Sequence, residues 1–508
     1  MRLADLVATC TAVAGTSGRL QKIGRLADLL TRLTPEEIEI AVAFLSGSPL
    51  QGRIGVAGSV IASARSTPAA SEPTLELKDV DGSFAQIAAT LGRGSSGTKT
   101  QLVRDLLGRA TAAEQDFLVR LLFGELRQGA LEGVLVEAVA RAAGIPAAEI
   151  RRAAMLGGTL PPVARAALVD GRDALTAFSV SLFRPVQPML AETAEGIDDA
   201  LEDFGEASLE FKLDGARIQA HKDGDEVRVF TRNLRDVTGA VPEVVEAMRA
   251  MRSRALIFDG EAIALGPGAA PHPFQVTMRR FGRKLDVDRL RGEVPLTPVF
   301  FDCLYVDGQA LVDEPHARRF TVLSDVAPSP LVVPRIVTAD RRMAADFLER
   351  ALAAGHEGIM AKAGDSVYAA GRRGQTWRKV KRARTLDLVV LAAEWGHGRR
   401  TGTLSNLHLG ARDDQHGGFV MLGKTFKGLT DEMLAWQTKR LLELEIGRDH
   451  YTVHVRPELV VEVAFNKIQE SPVYPGGLAL RFARVKRYRS DKTAADADTF
   501  ARIQRLRR

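Results

Sequence analysis

The sequence predicts a multidomain protein in three parts: a mostly helical segment, an α+β core and a small C-terminal β-barrel. The first observation is a change of texture. Up to about residue 180 the chain is rich in Ala, Leu, Arg and Glu, with apolar residues at helical spacing, as in Glu114-Gln-Asp-Phe-Leu-Val-Arg-Leu-Leu-Phe123. Beyond Pro188 short β-branched and aromatic runs alternate with helical stretches, and beyond Ala383 strand patterns dominate. The second observation is size. A chain of 508 residues with 45% hydrophobic content can bury several cores, about three at common domain sizes.

Breakers suggest the boundaries. Pro161-Pro162 and Arg184-Pro-Val-Gln-Pro188 end the helical region, and a linker is expected at the second group. We therefore expect domains over residues 1–185, 186–383 and 384–508. In the middle part, Val227-Arg-Val-Phe230, Leu256-Ile-Phe258 and Val299-Phe-Phe301 read as strands, and Val241 to Met251 reads as a helix. In the last part, Leu386-Asp-Leu-Val-Val-Leu391, Phe419-Val-Met-Leu422 and Leu459-Val-Val-Glu-Val463 are strands that suit a five-stranded barrel of the OB type.

Composition narrows the function. A formal charge of +6, from 69 basic and 63 acidic residues, is too mild to prove a polyanionic partner. Two cysteines, Cys10 and Cys303, exclude a disulfide framework or a four-cysteine zinc site and point to a reducing cytosol. No stretch reaches the roughly 20 apolar residues of a membrane span, so a cytoplasmic protein is expected.

The most informative stretch is Glu210-Phe-Lys-Leu-Asp-Gly215, with Arg217 just beyond. A lysine placed between strand formers and an Asp-Gly turn suggests a covalent nucleophile, although the commonest meaning of Asp-Gly is a hairpin. Its amine, with a free pKa of roughly 10.4, needs burial or neighbouring positive charge to be released, and Arg217, Arg232, Lys379 and Lys381 can supply that charge. Lys379 and Lys381 flank Val380 in strand alternation, so both side chains leave one face. Asp259-Gly-Glu261 reads as a strand ending in a turn, and Gly92-Arg-Gly-Ser-Ser-Gly-Thr-Lys99 as a small-residue loop that lacks the ending of a P-loop.

Read in order, Lys212-Leu-Asp-Gly215, Phe230-Thr-Arg-Asn-Leu234, Phe258-Asp-Gly-Glu261, Phe301-Asp-Cys-Leu-Tyr305, His356-Glu-Gly-Ile-Met-Ala-Lys362, Trp377-Arg-Lys-Val-Lys381 and Arg481-Phe-Ala-Arg484 resemble the collinear motifs of covalent nucleotidyltransferases, specifically ATP-dependent DNA ligases. Gly124-Glu-Leu-Arg-Gln-Gly129 and Arg489-Ser-Asp-Lys492 extend the likeness over most of the chain, toward the three-domain cellular type and the mycobacterial-type ligase B. The resemblance implies a helical DNA-binding domain, an adenylation core and an OB domain. It implies Lys212 as nucleophile, Glu210 on the adenine edge and Phe301 as a stacking platform. Arg217 and Arg232 would contact nucleotide or the DNA 5′-phosphate, and Glu261 the ribose or Mg²⁺, with Glu357 as the second metal-linked carboxylate. Arg373 matches an arginine preceding the Trp377 motif, and Lys379 and Lys381 would neutralise the α-phosphate. Arg481 and Arg484 would approach the pyrophosphate before the barrel swivels, with Arg127, Arg217 and Lys492 on DNA and Asp387 near the hinge.

The implied reaction uses ATP and Mg²⁺ to seal nicked duplex DNA through lysyl-AMP and 5′-adenylylated DNA, in replication, repair and recombination. The implied enzyme is a monomer, associated with the nucleoid through DNA, whose binding is salt-sensitive and largely independent of sequence. Two alternatives remain at this level. An RNA-end nucleotidyltransferase would share Lys212 but not need the helical region, and a non-catalytic nick-binding scaffold would tend to lose the lysine or carboxylates.

Overall fold

The computed structural model describes residues 1–508 except 53, 65, 93, 127–131, 195, 267–269, 282–286, 371–372, 382–383, 398–399 and 508, and of residues 59, 62, 373–375 and 507 it describes the backbone alone. Contacts divide the chain into two compact units, Met1–Lys381 and Arg382–Arg508. Among the described residues no helix is long and apolar enough to cross a membrane.

The N-terminal part of the first unit is helical, and its helices begin where side chains satisfy the free N–H groups of a first turn. Thr34 and Thr111 open the helices Pro35–Leu45 and Ala112–Phe123, each in a capping box closed by Glu37 (3.0 Å) or Glu114 (2.8 Å) on the Thr N–H. The second of these helices ends at Gly124, whose φ of 68° is left-handed. Apolar faces converge on a core that includes Leu3, Leu26, Phe44, Phe84, Phe117 and Leu135. Lys99 turns inward rather than toward solvent, its ammonium donating to the carbonyls of Ile54 (2.9 Å) and Gly55 (3.1 Å).

Helix Ala147–Gly157 sends Met155 and Leu156 out of that core to pack with Val186, Met189, Leu304, Tyr368 and Trp377. This shared apolar cluster explains why the helical region and the α+β region form one compact unit. The bidentate Arg152–Asp313 pair (2.5 and 2.6 Å) also links them, but both side chains are exposed, and such a pair is worth at most about 1 kcal/mol.

The α+β region contains strands β1 (Leu190–Thr193), β2 (Ala207–Phe211), β3 (Ala216–Asp223), β4 (Glu226–Thr231), β5 (Ala255–Ala264), β6 (Leu296–Val306), β7 (Gln309–Ala310), β8 (Arg335–Thr338), β9 (Gly358–Ala363) and β10 (Arg373–Lys381). One sheet runs β1-β10-β9-β2-β8, antiparallel except for the parallel pair β1/β10, and the other runs β4-β3-β5-β6-β7. Residues 212–215 therefore carry the chain from one sheet to the other, and the Asp214-Gly215 step is a crossover rather than a hairpin. A Cβ on Gly215 would lie 2.5 Å from the Ala262 carbonyl oxygen, so only glycine lets the crossover pass this close to β5.

Asp259-Gly-Glu261 also departs from the expectation of a strand ending in a turn. It lies within β5, paired to β3 and β6 on its two sides. Here a Cβ on Gly260 would meet the Phe300 ring at 2.7 Å and the Val299 carbonyl at 2.8 Å, so the glycine marks close approach within a sheet.

The second unit is β-rich, with β11 (Arg384–Trp395), β12 (Leu404–Arg412), β13 (Phe419–Thr425), β14 (Glu445–Arg448), β15 (Thr452–Val455), β16 (Val460–Phe465), β17 (Lys467–Glu470), β18 (Leu478–Arg481) and β19 (Arg484–Tyr488). The expected five strands understate it, since nine are present among the described residues, and the long β11 is shared between partners. Residues 384–389 of β11 pair with β16 and residues 389–395 with β12, a division invisible to local pattern. The interior holds Leu386, Leu388, Leu407, Val461 and Val463, against helix Asp431–Glu443. Asp387 accepts from Arg489 (3.1 and 3.0 Å) and Lys492 (2.6 Å), tying the end of the unit to its first strand.

Candidate active site

A cavity of about 390 Å³ opens where the two sheets of the first unit meet. Glu210, Lys212, Arg217, Arg232, Glu261, Phe301, Lys379 and Lys381 all line it. Lys212 reaches it from the crossover, whose backbone is pinned by the Lys212 N–H donating to the Gly358 carbonyl (2.9 Å) and the Glu357 N–H donating to the Lys212 carbonyl (3.2 Å). This pinning also brings Glu357 to the lysine. Its Oε2 lies 2.6 Å from Lys212 Nζ and 2.5 Å from Lys381 Nζ. Burial pushes the Glu357 carboxyl up, but Lys212 and Lys381 more than offset that and bring it to about 2. Burial and the Lys212 charge hold Lys381 below its ordinary range despite the same carboxylate.

Glu261 behaves in the opposite way. Burial raises its carboxyl to about 7, beyond what the Lys212 and Arg217 charges can counter, and Asp259 and Asp214 add to the rise. A group whose folded pKa is raised stabilises the fold below its unfolded value and loses that contribution as pH climbs through the folded value. In EDTA and without nucleotide, stability should therefore fall between about pH 4.5 and 7 through this residue. The unfolding free energy of Glu261→Gln relative to the wild type should rise by on the order of 2 kcal/mol from pH 4.5 to pH 8. Urea titrations at the two pH values check this, and a pH-independent difference would contradict it.

Arg217 is not a surface charge. On β3 it forms a bidentate pair with Asp259 (3.1 and 2.6 Å) and donates to the Met189 carbonyl (2.6 Å) and to the Tyr368 hydroxyl (3.3 Å). Tyr368 in turn donates to Asp259 at 2.6 Å. Burial disfavours the guanidinium charge, but Asp259 overcomes this and raises its pKa further. Arg232, on the turn after β4, is exposed at the cavity rim.

In β6 the neighbours Phe300 and Phe301 separate by alternation: Phe300 is fully buried in the core and Phe301 stands on the cavity wall. Trp377 meets the Phe301 ring edge-on at 6.2 Å, and Lys362 Nζ lies 4.7 Å from that ring and 4.2 Å from Trp377. Lys362 also pairs with Glu210 at 2.6 Å, so Glu210 enters the wall as half of a buried ion pair.

The sequence reading assigned no role to Lys362, Trp377, Asp259 or Tyr368. The signal for the first two was present in strand alternation, since Trp377, Lys379 and Lys381 share a face of β10 and Met360 and Lys362 share a face of β9. Asp259 and Tyr368 meet only through tertiary contact.

Other expected residues lie elsewhere. Arg127 is outside the described residues, as is the side chain of Arg373. Arg481, Arg484 and Lys492 belong to the second unit, where the Arg481 guanidinium lies 5.1 Å from the Phe482 ring, Arg484 is exposed and Lys492 holds Asp387.

Among the described residues no three His, Cys, Asp or Glu side chains converge as a complete metal cage. The carboxylates of Glu261 and Glu357 are nevertheless donors of the kind Mg²⁺ takes, one or two at a time, its shell completed by phosphate oxygens and water.

Comparison with known proteins gives this site a family. Three family descriptions match in chain order: DNA ligase N terminus over residues 50–140, ATP dependent DNA ligase domain over 188–381, and ATP dependent DNA ligase C terminal region over 400–492. A "Probable DNA ligase" from Anaeromyxobacter sp. (strain Fw109-5) is 60% identical, across 100% of this chain and 98% of its own length. Another from Mycolicibacterium gilvum is 55% identical, across 100% and 99%. A solved structure described as Pmar-Lig_PreS3 shares the fold at a TM-score of 0.59 and 16% identity, covering 95% of this chain and 99% of that one. Helical region, two-sheet core with its cavity lysine, and β-rich unit together define a nucleotidyltransferase of the ligase class. This chain belongs to the ATP-dependent DNA ligase family.

Proposed function

We propose that the protein seals nicks in duplex DNA in three phosphoryl transfers, with Lys212 as the nucleophile. The observation that carries this reading is the placement of the Lys212 amine on a cavity wall shared with Lys379, Lys381, Arg217 and Glu261. In the first step the free amine attacks the α-phosphate of ATP. A P–N bond forms, the bond to pyrophosphate breaks, and the amine loses a proton. The AMP then passes to the 5′-phosphate at the nick, and the 3′-hydroxyl displaces it.

Phe301 offers its face to adenine and Glu210 its carboxylate to the base edge. Lys379 and Lys381 offset charge on the α-phosphate, and Arg217 and Arg232 bind nucleotide or the 5′-phosphate, as does Arg373. Glu261 and Glu357 would hold Mg²⁺, which when bound would polarise phosphate oxygens. The pairing of Glu357 with Lys212 and Lys381 supports a further task, holding the two amines near one another before substrate enters.

Arg481 and Arg484 would assist pyrophosphate departure, and Arg127, Arg217 and Lys492 would contact DNA. We assign the chain three working domains at 1–185, 186–383 and 384–508, a monomeric state and a cytoplasmic location on DNA, in replication, repair or recombination. The match to the DNA ligase N terminus over residues 50–140 supports duplex DNA over an RNA end.

The test is a chase. Protein first cleared of AMP with pyrophosphate is incubated with Mg²⁺ and α-labelled ATP, then given nicked duplex DNA or a nicked RNA duplex. Covalent label that discharges onto nicked DNA as it is sealed is expected. Label that discharges onto RNA alone would replace this reading with the RNA-end one, and no label at all would favour the scaffold.

A further inference from the structure

The Glu210 wall of the cavity contains buried polar atoms without an aligned hydrogen bond. Glu210 is 1% exposed, and its Oε2 accepts from Lys362, but no aligned donor meets Oε1. Behind it, at the start of helix His316–Val326, the His316 ring is fully buried with neither nitrogen in an aligned hydrogen bond. Its Nε2 stops 3.3 Å from Glu210 Oε1. The ring packs against Trp377 and Phe320, with centroids at 6.4 and 6.1 Å, and the backbone N–H of His316 donates to the Ser366 carbonyl (2.8 Å). Buried polar atoms left unpaired are uncommon enough to call for an explanation, and here two sets of them face each other beside a cavity.

Burial, helped by the Lys362 charge, keeps the imidazole below its ordinary range despite Glu210 and Asp302, so the ring is neutral and carries one N–H. With that proton on Nε2 it can donate to Oε1. With Lys362 on Oε2 and His316 on Oε1, the plane of the Glu210 carboxylate is fixed on the cavity wall.

We propose that His316 is a positioning residue for base selection: together with Lys362 it fixes the Glu210 carboxylate as the acceptor for the 6-amino group of adenine. A 6-oxo purine would set oxygen against oxygen at the same point, which the site rejects by leaving two acceptors unpaired. This rests on the proposed role of Glu210 at the adenine edge, and it adds a residue outside every motif that the sequence singled out.

The test compares ATP with purine riboside 5′-triphosphate, which lacks the 6-amino group, in covalent labelling of the wild type, His316→Gln, His316→Asn and Glu210→Gln. A glutamine amide nitrogen reaches roughly where Nε2 sits, and an asparagine amide nitrogen only where Nδ1 sits. His316→Asn should raise KM for ATP about tenfold while leaving the maximal labelling rate and the KM for the purine analogue near wild type. His316→Gln should stay within about threefold of wild type for both nucleotides. Equal losses with the two nucleotides, or an unchanged ratio in His316→Asn, would overturn the inference. Should His316→Asn fail to fold, His316→Ala takes its place, with the same selective loss of ATP expected and an unchanged ratio overturning the inference. If Glu210→Gln also leaves the ratio unchanged, the reading of Glu210 itself fails. If Glu210→Gln collapses the ratio and His316→Asn does not, only the role of His316 is overturned.

Discussion

Lys212→Ala should take up no covalent label from ATP and should lose overall sealing by on the order of 10⁴-fold or more, because no other group can form the P–N bond in its place. The neighbouring amine of Lys381 is the nearest candidate. Lys212 and Lys381 meet the same Glu357 oxygen, at 2.6 and 2.5 Å, yet Lys212 comes from the crossover between the sheets and Lys381 from the end of β10, so they approach it separately. Nucleophilic attack needs the reacting atoms about 3–3.5 Å apart and aligned, so a second amine nearby is not a substitute. The same variant should retain much of its ability to seal a nick that already carries 5′-linked AMP, since that last step forms no bond to lysine. Quantifying label on the denatured polypeptide and sealing of preadenylylated DNA in parallel checks both halves. Substantial residual label in Lys212→Ala would remove the lysine from the mechanism.

The largest effect on stability should come from Arg319→Ala. Arg319 and Asp302 are both fully buried and pair through two bonds of 2.7 and 3.0 Å, and the remaining guanidinium nitrogen donates to the carbonyls of Glu314 (2.7 Å) and Ser366 (2.9 Å). Burial raises the Asp302 carboxyl, but Arg319 overcomes that and holds it below the ordinary range. Removing the arginine leaves a desolvated carboxylate and an unserved Glu314 carbonyl, at a cost of about 3–5 kcal/mol. Replacing both partners in Arg319→Met/Asp302→Leu should recover much of that loss, because the penalty lies in the unpaired charge more than in the missing attraction. Urea unfolding at neutral pH separates these outcomes: a double variant as unstable as the single one would mean that packing dominates. Asp302 adjoins Phe301, so Arg319→Ala should also weaken ATP binding.

Much of the site was legible in one dimension. Lys212, Glu261, Phe301 and the Lys379/Lys381 pair could be chosen because strand alternation and motif order survive projection onto a sequence. Chain order also carried the sequence of architectures, since the change from helical to β-branched texture follows burial patterns local to each segment. Partnerships were not legible. The Asp-Gly step looked like a hairpin because local turn chemistry is the same whether the next strand returns to its own sheet or enters another. Asp259-Gly-Glu261 looked like a strand end because a glycine within a strand carries the same sign as one in a turn, and the pairing of β5 on both sides, with Phe300 and the Val299 carbonyl packed against Gly260, distinguishes them.

The sequence by itself determined the kind of chemistry, by placing a lysine, carboxylates and cationic strand residues in a particular order. The tertiary structure alone decided which charges meet: Glu357 with Lys212 and Lys381, Asp259 with Arg217, and Glu210 with Lys362. The reason is that burial sets the cost of each charge and strand pairing across sheets sets its neighbours, and neither quantity is a property of adjacent residues. A carboxyl near 2 at Glu357 and another near 7 at Glu261 on the same site arise from that difference alone.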